Sequence, residues 1–116
     1  MRHQKKTIKL GRSTAARKAL MNNLSAQLVL YEAIQTTEAK AKALRTVIEP
    51  MITKAKTGKL AARRQLLGVL PMPTAVKKLF EVIGPRYKDR AGGYTRITPV
   101  KVRVGDGAKI CKIELV

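Results

Sequence analysis

The hydrophobic residues of this chain change period partway along it, and that change limits the folds open to it. Leu44, Val47, Ile48, Met51, Ile52 and Ala55 recur at i, i+3, i+4, i+7, i+8 and i+11, one face of an α-helix. Beyond Gly93 the period becomes two. Val100, Val102 and Val104 alternate with Lys101 and Arg103, and Cys111, Ile113 and Leu115 alternate with Lys112 and Glu114. Gly105-Asp106-Gly107 between the two runs is a turn signal. Helices followed by a hairpin make an α+β fold, with the apolar face of the hairpin turned onto the helices and the charged face outward.

The other elements fit around these. Ser13 or Thr14 caps a first helix whose apolar face is Ala16, Leu20, Leu24, Leu28 and Tyr31. Tyr31 belongs at the edge of the core. Ala33–Thr36 is a short edge strand. Thr37 caps the main helix, Glu38 sits in its first turn where the dipole favours an acid, and Gly58 suits its C-cap. Pro50 removes a backbone donor and is expected to kink that helix. Residues 59–70 form a shorter helix with Leu60, Leu66 and Leu67 for packing and Arg63 and Arg64 side by side. Pro71 and Pro73 break the chain. Val76, Leu79, Phe80 and Ile83 then share one helical face, stopped by Gly84-Pro85. The reading is about four helices, then a small, mainly antiparallel sheet made of the C-terminal hairpin and the short edge strand. Residues 1–12 are an extended basic arm, and residues 13–116 are a single domain.

Charge points to the partner. The chain has 25 Lys and Arg against 7 Asp and Glu, a formal charge of +18 over 116 residues. Self-repulsion at that density opposes compactness, so the surplus is best explained by a polyanion. Nucleic acid leads. An anionic membrane surface comes second, because no cluster of apolar anchors accompanies the charge. There is no secretory leader and no apolar run long enough to span a bilayer, which points to the cytoplasm. Cys111 cannot form an internal disulfide and reads as a small buried hydrophobe. The arm carries Arg2, Lys5, Lys6, Lys9 and Arg12, with no acid before Glu32. With little apolar surface, it should order only against a neutralising partner. Arg17 and Lys18 lie in the first turn of a helix, the unfavourable end for cations, which suggests that they serve an outside ligand.

The stretch Gly84–Ile97, GPRYKDRAGGYTRI, concentrates that chemistry. Arg86, Lys88, Arg90 and Arg96 stand against one acid, Asp89. Guanidinium groups grip phosphates, and Tyr87 and Tyr94 can offer ring faces to unstacked bases. Gly92-Gly93 lets the backbone take positive φ and approach a partner closely. Catalytic constellations are missing by comparison. His3 is the single histidine, one His and one Cys are too few for a metal site or a nucleophilic pair, and the seven carboxylates are scattered. The reading is therefore no catalytic residue, no metal, no cofactor and no small-molecule substrate. Charge spread over arm, helices and loop suits the irregular surface of folded RNA better than duplex DNA. A nucleoid-type DNA binder is the alternative, and a small enzyme acting on nucleic acid is a third reading.

Particular strings go further. They are Met1-Arg2-His3, Leu10-Gly11-Arg12 ahead of Arg17-Lys18-Ala19-Leu20, Ile34-Gln35-Thr36-Thr37 with Ala39-Lys40-Ala41-Lys42, and Glu49-Pro50 with Ile52-Thr53-Lys54-Ala55-Lys56. Arg90-Ala91-Gly92-Gly93-Tyr94-Thr95-Arg96-Ile97 and the ending Ile113-Glu114-Leu115 complete them. In these the chain resembles, in order and over nearly its whole length, the seventeenth protein of the bacterial large ribosomal subunit. The match is weakest over residues 57–83. The resemblance implies an α+β protein bound to large-subunit ribosomal RNA, beside neighbouring ribosomal proteins near the exit of the peptide tunnel. It implies a structural and assembly-supporting role, without catalysis or cofactor. Position by position, it makes Arg2, His3, Lys5, Lys6, Arg12, Arg17, Lys18, Arg86, Tyr87, Arg90, Tyr94 and Arg96 the RNA-facing set. The residue reading adds Lys9, Arg63, Arg64, Gly92 and Gly93.

Overall fold

The computed structural model describes residue 10 and residues 13–116. Helix α1 (Thr14–Tyr31) leads through β1 (Ala33–Thr37) into α2 (Glu38–Thr57), α3 (Leu60–Leu67) and α4 (Pro73–Lys78). A π-helical turn (Leu79–Ile83) and a last short helix, α5 (Gly84–Arg86), precede β2 (Thr95–Val102) and β3 (Lys109–Leu115). The strands form one antiparallel sheet in the order β1-β3-β2. The fold is α+β, as the change of period requires, and the residues before β2 supply the edge strand β1.

Helix α2 is the centre of the molecule, touching α1, α3, α5, the π-helical turn and all three strands. Its stripe does the work expected of it. Leu44, Ile48, Met51, Ile52 and Ala55 are buried, and each large aliphatic chain so covered stabilises by roughly 1.5–3 kcal/mol. Pro50 does not interrupt it. The helix continues through Pro50, which is exposed, while its neighbours Ile48, Met51 and Ile52 anchor both sides of the missing hydrogen bond in the core. Gly58 ends the helix at φ +66°, as the C-cap reading requires. Thr37 stands at the N-cap without a capping bond from its side chain, whereas the Ser13 hydroxyl accepts from the Ala16 amide at 3.3 Å.

Several expected faces move. In α1 the buried residues are Met21, Ser25, Ala26, Leu28 and Val29; Ala16 is exposed, and Tyr31 is 72% exposed rather than at the core edge. The stripe is rotated by about one position, because the Ser25 hydroxyl is satisfied by donating to Met21 O at 2.8 Å and can therefore go inward. Helix α3 stops at Leu67, and of its leucines only Leu66 is buried, Leu60 and Leu67 being exposed. Gly84-Pro85 does not stop the helix from Pro73. The chain passes through the π-helical turn into α5, with Pro85 in the first turn of that last helix. Gly84 is there for space, since a Cβ would sit 2.8 Å from the Ala55 carbonyl oxygen.

The hairpin is half as expected. Cys111 and Ile113 are buried, but Val100, Val102 and Val104 are exposed, Val104 completely. The inward residues of β2 are Thr95 and Ile97, paired with Leu115 and Ile113, so Val100 falls on the opposite face; after a bulge between Pro99 and Lys101, Val102 pairs with the exposed Lys109, past the edge of the core. The alternation marks a strand only as far as Val102, Val104 lying in the turn beyond it, and its valines do not form the core face.

Candidate nucleic-acid interface

The loop from Tyr87 to Tyr94 is fastened by its two tyrosines. Their rings are packed in the core, 3% and 1% exposed, with centroids 5.2 Å apart. Tyr87 donates to the main-chain oxygen of Val116 at 2.6 Å. The Tyr94 hydroxyl lies 3.4 Å from the Thr53 hydroxyl and accepts from the Lys56 ammonium at 3.1 Å. Those two bonds, Thr53 first, hold the phenol below its ordinary pKa. Lys56 also donates to the Arg90 carbonyl, so one lysine of α2 grips both the ring and the loop backbone. The expectation that Tyr87 and Tyr94 stack on bases is therefore corrected: neither ring has a free face. Cations flank them in sequence, but the two rings are among the few aromatics available to a core with no Trp.

With the tyrosines inward, the rest of the loop is outward. Lys88, Arg90, Gly92 and Gly93 are all exposed. Gly93 has φ +63°, but Gly92 does not use the left-handed region. A Cβ at either glycine would meet nothing within 4 Å, so the space above them is open to a partner rather than filled by the protein. Arg90 turns its Nε to the Gly92 carbonyl at 3.3 Å. The same pole of the molecule carries the end of α2, tied to the loop through Lys56 and Tyr94, with Lys54 exposed and Lys59 just beyond Gly58. Sequence reasoning passed over Lys54, Lys56 and Lys59. The signal was present, since they lie on or just past the end of the cleanest helical stripe, next to its cap.

The few acids select which cations remain available. Glu32 takes both Lys78, at 3.1 Å, and Arg86. The Arg86 hydrogen bond, then that of Lys78, holds the Glu32 carboxyl at about 2. Glu114 takes Arg96 at 3.7 Å and Lys112 at 3.4 Å. Arg103 and Asp106 close the hairpin turn at 2.7 Å, and Lys42 meets Glu38 at 2.8 Å. The Glu49 carboxylate accepts from the Thr95 hydroxyl at 2.9 Å. Arg86 and Arg96, both expected to face a ligand, are thus engaged within the protein. Lys54, Lys59, Arg64 and Lys88 make no ion pair among the described residues.

The other expected positions fall in separate places. Arg17 and Lys18 flank a cleft of about 550 Å³ between α1 and α2, floored by Met21, Val47 and Met51. Arg63 lies 5.8 Å from the centre of the Phe80 ring, leaving Arg64 exposed beside it. The arm positions Arg2, His3, Lys5, Lys6, Lys9 and Arg12 lie outside the described residues. A second cleft, of about 600 Å³, opens between α2 and the hairpin. Among the described residues no group of three His, Cys, Asp or Glu is placed to hold a metal ion, and no helix is long and apolar enough to cross a membrane.

A helical body on a small antiparallel sheet, with five of its seven acids engaged by partners within the protein and its surplus cations outside, defines a small basic α+β protein built for a polyanion. The family model described as Ribosomal protein L17 matches residues 20–116, and the chain belongs to that family. Its relatives include the large ribosomal subunit protein bL17 of Halalkalibacterium halodurans, 52% identical over 93% of this chain and 97% of the relative. The protein of that name from Trichlorobacter lovleyi is 49% identical over 100% of this chain and 94% of its own length. That from Chlorobaculum tepidum is 51% identical over 100% of this chain and 74% of its own length.

Proposed function

We propose that the protein is a structural constituent of the large ribosomal subunit. It binds large-subunit ribosomal RNA, contacts other ribosomal proteins, and works in translation in the cytoplasm as part of the ribosome and not as an enzyme. The observation that carries this is the membership of residues 20–116 in the ribosomal family, on a chain of formal charge +18. The nucleoid-type DNA-binding alternative has no support from the relatives, all large-subunit proteins by name.

Its contribution is phosphate neutralisation. The loop cations Lys88 and Arg90, with Lys54 and Lys59 at the end of α2, form one cationic approach to the RNA backbone, and Arg63 and Arg64 on α3 add another. Gly92 and Gly93 let that backbone come close. Arg17 and Lys18 add a second contact, and residues 1–12 act as a basic arm in front of the single domain 13–116. Arg86 and Arg96 serve mainly the fold, and Tyr87 and Tyr94 position the loop from inside. The site lies near the exit of the peptide tunnel, as the resemblance of the sequence implies. The test is sedimentation of a lysate at rising salt. The protein should travel with large subunits and leave them only at high salt, because each neutralised phosphate makes binding salt-sensitive. Sedimentation as free protein at low salt would contradict the proposal.

A further inference from the structure

The cleft between α2 and the β2–β3 hairpin is not used by the interface just described. Its apolar floor is the buried Cys111 and the half-buried Ile97, with the exposed Pro99 beside them, and its rim carries Arg45, Lys101 and Lys109. Its volume of about 600 Å³ is within the roughly 300–1,000 Å³ of sites that take a small organic group. Val100 and Val102 stand exposed at its mouth, where none of the described residues covers them. Lys42 is held by Glu38, the one acid at the site among the described residues, so the rim keeps a net positive charge.

We propose that this cleft takes a nucleotide splayed out of an RNA stack, its base on the apolar floor and its phosphates on the cationic rim. This rests on the reading that the protein binds large-subunit RNA, and it adds a subsite with a stated ligand chemistry. Two features favour a nucleotide over a peptide. The first is charge, because a rim of Arg45, Lys101 and Lys109 repels the basic segments of a like-charged neighbour and attracts phosphate. The second is the strand edge. Val116 N donates to Tyr94 O at 2.9 Å, so at the start of β2 the even-numbered residues turn their backbone groups to β3. Ile97 and Pro99 therefore turn theirs to the open edge. Pro99 brings a ring there instead of an N–H, which blocks the continuous ladder that an added strand needs. The Ile97 backbone N–H and C=O remain, enough for the edge of one base beside an apolar floor. Unstacked bases in folded RNA are read by such a combination of apolar contact and local hydrogen bonds.

The experiment is photo-cross-linking of full-length protein to thiouridine-substituted large-subunit RNA, with the attachment sites mapped by mass spectrometry. Binding of Val102→Asp and Lys109→Glu variants is measured in parallel. Both positions are exposed, so the variants should melt like the parent. The proposal expects cross-links within residues 97–102 and 109–111, and a loss of binding of about tenfold in each variant. Parent-like binding by both variants, with cross-links confined to residues 54–64 and 88–93, overturns the cleft and leaves the ribosomal reading standing. Cross-linking of the cleft to a neighbouring protein in assembled subunits, instead of to RNA, also overturns it. Failure of the parent protein to bind the RNA at all removes both.

Discussion

Lys56 and Tyr94 join the helical body to the glycine loop. The ammonium lies 3.1 Å from the phenol oxygen and 5.3 Å from the ring centre, off the hydroxyl end of the ring and not over its face. The contact is thus a hydrogen bond, with little cation–π character. It decides which side of the loop faces out. With both tyrosines drawn in, Lys88 and Arg90 are the groups left for a ligand.

Replacing Tyr94 separates this arrangement from base stacking. Tyr94→Phe keeps the ring and removes the bonds to Lys56 and Thr53, so it should cost about 1 kcal/mol in urea unfolding. It should also weaken RNA binding by loosening the loop. Tyr94→Ala should cost about 3–5 kcal/mol through the cavity it leaves. A ring that stacked on a base would tolerate Phe with unchanged affinity and stability.

The glycines have distinct reasons, and substitution should sort them. Gly84→Ala forces a Cβ against the Ala55 carbonyl and should destabilise by about 1–3 kcal/mol. Gly92→Ala meets open space at ordinary φ and should leave thermal unfolding unchanged. Gly93→Val strains a positive φ and also fills the space above the loop, so RNA affinity should fall by more than the melting temperature shift explains. Equal stabilities for the Gly84 and Gly92 variants would remove the packing argument.

Acid should act through Glu32. Its carboxyl titrates at about 2 when folded, against an ordinary value of 4.5, because Arg86 and Lys78 hold the charged form. A depressed carboxyl stabilises fully above about pH 4.5 and loses that contribution as pH falls towards 2. Glu32→Gln should therefore lower stability at neutral pH by about 1 kcal/mol or less, the pair being partly exposed. It should also flatten the acid limb of a pH series followed by circular dichroism. A limb unchanged by the substitution would show that other groups set the acid sensitivity.

The hairpin tests where the core ends. Ile113→Ala should cost about 2–5 kcal/mol, since Ile113 is fully buried, whereas Val104→Lys should change stability by no more than about 0.5 kcal/mol. Comparable losses at both positions would mean that the valine face is covered in the folded protein.

The legible parts of this fold were those set by a long, regular pattern. The α2 stripe, the Gly58 cap, the β1 edge strand and the hairpin follow from residue spacing alone. The failures share a cause, which is that local sequence does not carry phase or neighbours. Val100 has the opposite phase to the inward Thr95 and Ile97, Val102 and Val104 lie at and beyond the outer end of β2, and an internally bonded Ser25 rotated the α1 stripe. The need for large side chains in an aromatic-poor core drew in tyrosines that cations flank. For the candidate site, the loop was legible as cationic, but the pairing of Arg86 with Glu32 and of Arg96 with Glu114 spans 54 and 18 positions, beyond any local pattern.

The most direct test of the central claim is the salt dependence of binding to large-subunit RNA, comparing the parent with a Lys88→Gln, Arg90→Gln double variant. The account predicts that log K falls linearly with log salt for both, and that the variant's slope is shallower by roughly 0.7–0.9 for each phosphate contact removed. A slope near zero in the parent, or identical slopes in the two proteins, would contradict it.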